Sequence, residues 1–177
     1  MFNEVFLDSV FVPDDCVVGE VNRGWQVARN TLSNERVSLS TGGGLGMGVP
    51  ELLAFLQGRE LDSIAQAEVG KLVAQGQSID LLGLRTTLKQ LSGVNPGAEA
   101  SVRKLLGVQF NQDVADYCWA VQGTEAAVQE QGRGTGVIAR AMLFSRAMTI
   151  YGGTTEVQLN IIGERLLGLP RDPEPGK

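Results

Sequence analysis

The sequence has 177 residues, of which 43% are hydrophobic and 20% are charged, a balance typical of a single soluble globular domain. Its net charge of −5 argues against nucleic acid as a partner, because binding a phosphate backbone requires a basic surface. The chain has no histidine, which excludes Ser-His-Asp and Cys-His catalysis and nearly every zinc site. We therefore expect no metal, and we expect any acid–base catalyst to be a carboxylate.

The two cysteines and the apolar runs indicate the compartment. Cys16 and Cys118 are far apart in the sequence, and the first eight residues show no leader pattern. Charged, polar or glycine residues interrupt every apolar run before it reaches the ~18 residues that a membrane-spanning helix needs. The sequence predicts a reduced, cytoplasmic protein without a membrane span.

The first twenty residues differ from the rest of the chain. Apolar residues stand there among acids, and Pro13-Asp14-Asp15 predicts a turn between two short strands. Two strands are too few to close a sheet, and an isolated hairpin is marginally stable in water. We expect residues 1–20 to belong to, or dock on, a larger sheet that this chain lacks, so that the chain is a fragment.

From residue 21 onward, apolar residues recur at intervals of three and four, which predicts helices. The predicted helices cover Trp25 to Leu39 and residues 50–57, 62–91, 98–121, 137–151 and 154–167. Short glycine-containing loops join them. We predict an all-α fold: an antiparallel four-helix-type bundle over residues 21–170, preceded by the short β segment and followed by a polar tail at 171–177.

The longest predicted helix carries both an apolar side and regularly spaced glycines. Gly70, Gly76 and Gly83 would let another helix approach closely. The residues expected on its buried side are Ile64, Val69, Leu72, Val73, Ile79, Leu81, Leu84, Leu88 and Leu91. We expect such seams to favour self-association.

Glu35 is the first candidate catalytic residue. It continues the apolar seam of Trp25, Ala28 and Leu32, so a carboxylate falls where the core is expected. A buried carboxylate costs several kcal/mol unless it is paired. Arg36 could hold it as a structural ion pair, or the seam could open on a cavity in which desolvation turns Glu35 into a base. Helical spacing alone does not choose between these interpretations.

Two glycines followed by hydroxyl residues form the second candidate site. Gly152-Gly153 precedes Thr154-Thr155 at the start of the last predicted helix. Such a junction leaves backbone N–H groups unpaired and able to bind an anion or a carbonyl. The same pattern is also that of an ordinary capped turn, with Thr154 as the N-cap.

Two motifs, one at each end of the chain, resemble those of a single family. The C-terminal motif is Tyr151-Gly152-Gly153-Thr154-Thr155-Glu156-Val157-Gln158, continued by Asn160-Ile161-Ile162-Gly163-Glu164-Arg165-Leu166-Leu167-Gly168-Leu169-Pro170. The N-terminal motif is Glu4-Val5-Phe6-Leu7-Asp8-Ser9-Val10-Phe11-Val12-Pro13, followed by Gly19-Glu20 and Asn22-Arg23-Gly24-Trp25. In this order they resemble the C-terminal signature of the flavin-dependent acyl-CoA dehydrogenases and that family's passage from a central β domain into a C-terminal bundle.

The resemblance implies an FAD-dependent acyl-CoA dehydrogenase, which converts an acyl-CoA thioester into a trans-2-enoyl-CoA and passes electrons to an electron-transferring flavoprotein. It also implies that residues 1–20 are remnants of the central β domain and that the isolated chain is inactive. Many members carry the catalytic base where this chain has Gly152. Another branch carries it on the first bundle helix, directly before an arginine, as Glu35 stands before Arg36. The resemblance therefore indicates Glu35 as the base, with the Gly152 N–H helping to hold the thioester carbonyl.

The other site residues follow from the resemblance, position by position. Those expected to line the acyl-CoA site are Ser33, Asn34, Arg36 and Gly153, and those expected to contact FAD are Thr154, Thr155 and Glu156. The chain departs from the family pattern at the segment beginning with Arg59, at Gln122-Gly123 and at Leu159. These departures bear on FAD binding, and they are similar to features of actinobacterial members, some of which assemble from unlike subunits.

Two other functions remain open at this point. The chain could be a catalytically silent bundle subunit that completes a partner's site, or it could belong to an acyl-CoA oxidase. The resemblance is compatible with a homodimer, a homotetramer or a hetero-oligomer with a second acyl-CoA dehydrogenase-like subunit. It leaves open whether the acyl group is a fatty acid or a steroid side chain undergoing β-oxidation.

Overall fold

A computed structural model of the chain describes residues 4–40, 46–94, 97–127 and 135–171. In these ranges there are α-helices and two short 3-10 helices, Asp14–Cys16 and Gly123–Ala127, and no strand. The α-helices are α1 (Gly24–Ser40), α2 (Val49–Leu56), α3 (Ser63–Leu91), α4 (Glu99–Gln122), α5 (Thr135–Ala147) and α6 (Thr155–Arg165). The predicted all-α class is confirmed.

The short β segment predicted before the bundle is not shown, because residues 4–20 contain no strand. The predicted turn is a 3-10 helix, and its flanking residues Pro13 and Val17 have extended backbone angles without pairing in a ladder. A strand needs a neighbouring strand to satisfy its N–H and C=O groups, and the described part of the chain provides none. Phe6 and Phe11 are 84% and 85% exposed, so the apolar side chains of this segment have no core to enter here.

The chain divides into two compact units, residues 1–34 and 35–177. In the first unit, Gly19 has a φ of +79°, and a Cβ there would lie 3.1 Å from Cγ2 of Val27 in α1. Trp25 and Leu32 are 75% and 45% exposed. The expectation that this seam of α1 is buried is therefore wrong for this chain.

The predicted domain boundaries at residues 20 and 170 stay predictions, and residues 172–177 of the predicted tail lie outside the described residues.

The second unit has one apolar core centred on α4. Helices α2, α3, α5 and α6 each contact α4. The buried cluster consists of Met47, Leu52, Leu56, Leu72, Ile79, Phe110, Val114, Cys118 and Ile138. Each such side chain stabilises the fold by about 1.5–3 kcal/mol when it leaves water. On α4, Phe110, Val114 and Cys118 form the buried face.

The glycines of α3 separate into two kinds. A Cβ at Gly76 would lie 2.5 Å from Val49 Cγ2 and 2.9 Å from Phe110 Cζ, and a Cβ at Gly83 would collide with the Arg103 guanidinium. A Cβ at Gly70 would meet nothing within 4 Å. The close approach predicted for this seam is confirmed at Gly76 and Gly83, whereas no described residue of this chain approaches Gly70, where contact with a second copy stays a prediction.

Helix α3 begins where the sequence predicts, because the Asp62 side chain accepts a hydrogen bond of 2.8 Å from the Ala65 N–H and caps the helix. Its buried side is shorter than predicted. Leu72 and Ile79 are buried, whereas the exposed apolar residues are Ile64, Leu81, Leu84, Leu88 and Leu91. These leucines occupy a face that no other described element covers. Among the described helices, none is long and apolar enough to cross a membrane.

Candidate functional site

Four predicted site residues occupy consecutive positions in the middle of α1. Ser33, Asn34, Glu35 and Arg36 all have helical backbone. Their side chains lie outside the described residues. The approach of Glu35 to the glycine turn therefore stays a prediction.

The other predicted site residues form one junction between α5 and α6. Gly152 and Gly153 have φ values of +67° and +101°, a left-handed backbone that a side chain disfavours. The N–H groups of Gly152, Gly153 and Thr155 donate no hydrogen bond to any described residue. The junction thus presents several unused backbone donors at the positive end of the α6 dipole.

Thr154 caps α6. Its hydroxyl accepts a hydrogen bond of 3.3 Å from the Val157 N–H, so the N-cap interpretation is confirmed. The next acid, Glu156, is fully exposed, and its pKa is lowered because its own backbone N–H and then the Thr154 hydroxyl donate to the carboxylate. The capping and the unused N–H groups coexist, because the cap occupies only the Val157 donor.

Two buried side chains hold the carbonyls of the glycine turn. Lys104 of α4 is 5% exposed, and its Nζ donates to the Gly153 carbonyl at 2.5 Å. Gln158 of α6 is 0% exposed, and its Nε2 donates to the Gly152 carbonyl at 2.8 Å and to the Gly153 carbonyl at 3.4 Å. The conformation of the turn is therefore fixed from the inside of the bundle.

The charge of Lys104 is poorly solvated. Burial lowers the pKa of the Lys104 ammonium, because a low-dielectric environment disfavours the charged form. No carboxylate in the described ranges forms an ion pair with it. A buried cation whose hydrogen bond goes to a neutral carbonyl is unusual in a core.

Sequence reasoning missed Lys104 and Gln158. Lys104 lies on the same face of α4 as the buried residue Ala115. Its neighbour Arg103 lies on the same face as the buried residue Phe110. A charged residue on a buried face was the signal used for Glu35, and the same signal applies here. Gln158 carried no comparable signal, since an isolated glutamine is common on an exposed helix.

Tyr151, immediately before the glycines, packs against Phe144. Its ring centroid lies 6.1 Å from that of Phe144 in α5, at 43°. Burial raises the pKa of the Tyr151 phenol. Tyr151 therefore anchors the entry to the turn as Lys104 and Gln158 anchor its carbonyls.

Two of the departures from the family pattern have defined surroundings. The Arg59 guanidinium lies 4.3 Å from the centroid of the Phe55 ring, and its Nε donates to the Phe55 carbonyl at 3.1 Å. Gln122, at the end of α4, has a buried Oε1 for which the described residues offer no donor. Arg59 thus contacts the end of α2, while Gln122 Oε1 has no donor among the described residues.

The helical bundle and the glycine turn are those of a known domain. Residues 22–167 match the family model described as acyl-CoA dehydrogenase, C-terminal domain. This match covers most of the chain, and the chain belongs to that family. The resemblance seen in the terminal motifs is confirmed.

Individual relatives agree with the family. Acyl-CoA dehydrogenase FadE34 of Mycobacterium tuberculosis is 45% identical over 171 residues, which are 97% of this chain and 23% of that protein. Acyl-CoA dehydrogenase IpdE1 of Mycolicibacterium smegmatis is 35% identical over 175 residues, which are 97% of this chain and 43% of that protein. The chain thus spans less than half the length of these relatives, and the actinobacterial resemblance is confirmed.

A solved structure shows the same fold. The Tcur3481-Tcur3483 steroid ACAD superposes with a TM-score of 0.78 at 24% identity, over 94% of this chain and 45% of that chain. At this identity the similarity concerns the fold alone. It confirms the predicted bundle as the C-terminal helical arrangement of the family.

Proposed function

We propose that this chain is the C-terminal part of an FAD-dependent acyl-CoA dehydrogenase that converts an acyl-CoA into a trans-2-enoyl-CoA. The observation that carries the proposal is the Gly152-Gly153 turn in a chain of this family: its carbonyls are held by two buried side chains, and its N–H groups donate to no described residue. Such preorganised donors are what a reaction through an enolate-like transition state requires.

The chain's own residues perform two tasks in this proposal. The Gly152 N–H donates to the thioester carbonyl and so acidifies the α-carbon, a role that needs no side chain. Glu35 then removes the α-proton, and Ser33, Asn34, Arg36 and Gly153 line the acyl-CoA site. A carboxylate placed next to polarising donors can act as a base near neutral pH.

The residues assigned to the cofactor fit FAD. Thr155 offers an unused backbone N–H at the N-terminal end of α6, and Glu156 is exposed beside it. When bound, FAD supplies the acceptor for the hydride that leaves the β-carbon, with Thr154, Thr155 and Glu156 beside it.

The proposed partners follow from the relatives. An electron-transferring flavoprotein would receive the electrons, and the complete protein would be an oligomer, either homomeric or built with a second acyl-CoA dehydrogenase-like subunit. The steroid acyl-CoA dehydrogenase of the same fold carries two protein designations, which supports the heteromeric form. It also supports testing steroid side-chain thioesters beside fatty acyl-CoA.

Replacement of the base tests the proposal in the complete FAD-loaded protein. Glu35→Gln keeps the shape of the side chain but cannot accept a proton, so we expect flavin reduction to slow by about 10²–10⁴-fold. Binding of acyl-CoA should change little, and the loss should appear in kcat. Rapid mixing with acyl-CoA, followed by bleaching of the flavin absorbance, measures the rate.

Glu68→Gln is a matched control, because Glu68 is exposed on α3, where its carboxylate pairs with Lys71. It should reduce its flavin at the parental rate. A folded, FAD-loaded Glu35→Gln protein with the parental rate would show that Glu35 is not the base. A parental protein that reduces no flavin with any acyl-CoA would instead favour the catalytically silent subunit. An oxidase would reoxidise rapidly in air without the electron-transferring partner.

A further inference from the structure

The orientation of a peptide group fixes its N–H as well as its carbonyl. All described peptides are trans, so the N–H of each peptide points opposite to its C=O. Gln158 holds the Gly152 carbonyl, and that peptide ends in the Gly153 N–H. Lys104 holds the Gly153 carbonyl, and that peptide ends in the Thr154 N–H. The two buried anchors thus turn both N–H groups away from the core.

A neutral side chain would suffice as an anchor, as Gln158 shows. Lys104 performs the same task with an ammonium that is 5% exposed, although removing a charge from water is costly. Its hydrogen-bond acceptor in the described chain is a carbonyl at 2.5 Å and not a carboxylate, so its charge is not neutralised there. A fixed positive charge behind the donors polarises the peptide and strengthens the outward N–H.

We propose that Lys104 is a positioning residue for the glycine turn: it orients the Gly153–Thr154 peptide, and it supplies positive charge at the turn that contains the Gly152 N–H proposed to hold the thioester carbonyl. This inference rests on the proposed function. It assigns to a buried residue of α4 a task that neither the helical spacing nor the C-terminal motif of the sequence indicates.

Three variants separate the effect of the hydrogen bond to the Gly153 carbonyl from the effect of the positive charge. Lys104→Met removes both the donor and the charge while keeping most of the buried aliphatic stem. Lys104→Gln keeps a neutral donor, and Lys104→Arg keeps both the donor and the charge. Lys89→Met is the matched control, because Lys89 Nζ also donates at 2.5 Å, but to Glu99 at a half-exposed position.

The kinetic test uses the complete FAD-loaded protein. Removing a direct oxyanion donor costs about 10²–10³-fold in kcat; for Lys104→Met we expect a smaller loss of about 10-fold or more, because the turn itself remains. KM should change by less than about threefold. Lys104→Arg should recover most of the rate, Lys104→Gln only part of it, and Lys89→Met should retain the parental kcat.

Two spectroscopic readouts do not depend on turnover. The carbonyl stretch of a bound trans-2-enoyl-CoA labelled with ¹³C at C1 reports polarisation at the turn, and its shift to lower frequency should shrink in Lys104→Met and persist in Lys89→Met. The ¹H–¹⁵N shifts of Gly153 and Thr154 report peptide orientation without any ligand. Both should move in Lys104→Met, and the Gly152 resonance should move less.

The outcomes distinguish the two proposals. A parental protein that oxidises no acyl-CoA overturns the proposed function, and the amide shifts then still test the anchoring. If the parental protein is active, the inference is overturned when folded Lys104→Met retains the parental kcat, carbonyl frequency and amide shifts. If Lys104→Met does not fold, Lys104→Gln decides: a parental kcat and carbonyl frequency in that variant overturn the role of the charge.

Discussion

Gly70 and Gly76 provide a matched pair of positions on one helix. Both lie inside α3, so replacing either by alanine gains the same helix propensity of about 1 kcal/mol. At Gly70 the new Cβ meets open space. We therefore expect Gly70→Ala to raise the free energy of unfolding by about 0.5–1 kcal/mol.

At Gly76 the same Cβ would lie 2.5 Å from Val49 Cγ2 and 2.9 Å from Phe110 Cζ, and Phe110 is buried. Forcing a methyl group into a packed core costs about 1–3 kcal/mol. This cost offsets the gain in propensity, so Gly76→Ala should be neutral to about 2 kcal/mol destabilised. The two variants should differ by the overpacking cost alone.

Urea denaturation of the complete protein measures both variants, and equal m-values would show that the same cooperative unit unfolds. A double-mutant cycle with Val49→Ala sharpens the test, because removing the Val49 methyl groups should relieve part of the clash and give a coupling of about 0.5 kcal/mol or more. If Gly76→Ala proves as stable as Gly70→Ala, the close packing of α3 on α2 and α4 is refuted.

Two further predictions concern titratable groups. Cys16 is exposed, whereas Cys118 is fully buried, and burial raises the pKa of the Cys118 thiol to about 11. An aromatic disulfide reagent should therefore label Cys16 within minutes and Cys118 only after denaturant is added. Equally fast labelling of the two thiols would contradict the core position of Cys118. The pKa of Glu99 is lowered chiefly by the hydrogen bond from Lys89, so its stabilisation is fully present above the ordinary pKa of 4.5 and is lost as the pH falls through the lowered value. Because the pair is partly exposed, Glu99→Gln should lower the free energy of unfolding by less than about 1 kcal/mol at pH 7. The difference between variant and parent should vanish at acidic pH. If urea denaturation still shows a difference at low pH, the ion pair is contradicted.

The departures of the fold from its sequence expectation have a common cause. The apolar residues of the first segment and the leucines on the outer face of α3 read as core, yet Phe11 is 85% and Leu91 is 80% exposed. A hydrophobic pattern indicates that a face of a helix or strand is to be buried. It does not indicate whether the surface that packs against that face belongs to the same chain. The relatives that this chain matches extend well beyond the length that it spans.

Local chemistry by itself determined the helices and the turn. The apolar period of three and four residues predicted the helices, including the one over residues 62–91, and the two glycines followed by threonines predicted a capped junction with unused N–H groups. These features depend on residues a few positions apart, so the sequence contains all the partners that form them.

Only the tertiary structure decided which residues hold that junction. Lys104 lies 49 residues from the Gly153 carbonyl that it contacts, and Gly76 differs from Gly70 only because Val49 and Phe110 pack against it. Contacts between distant residues depend on how the helices pack, and many packings satisfy the same apolar pattern until side chains of definite volume and charge are placed together. The sequence thus determined the turn, and the packing of α4 against α6 determined that a buried lysine stands behind it.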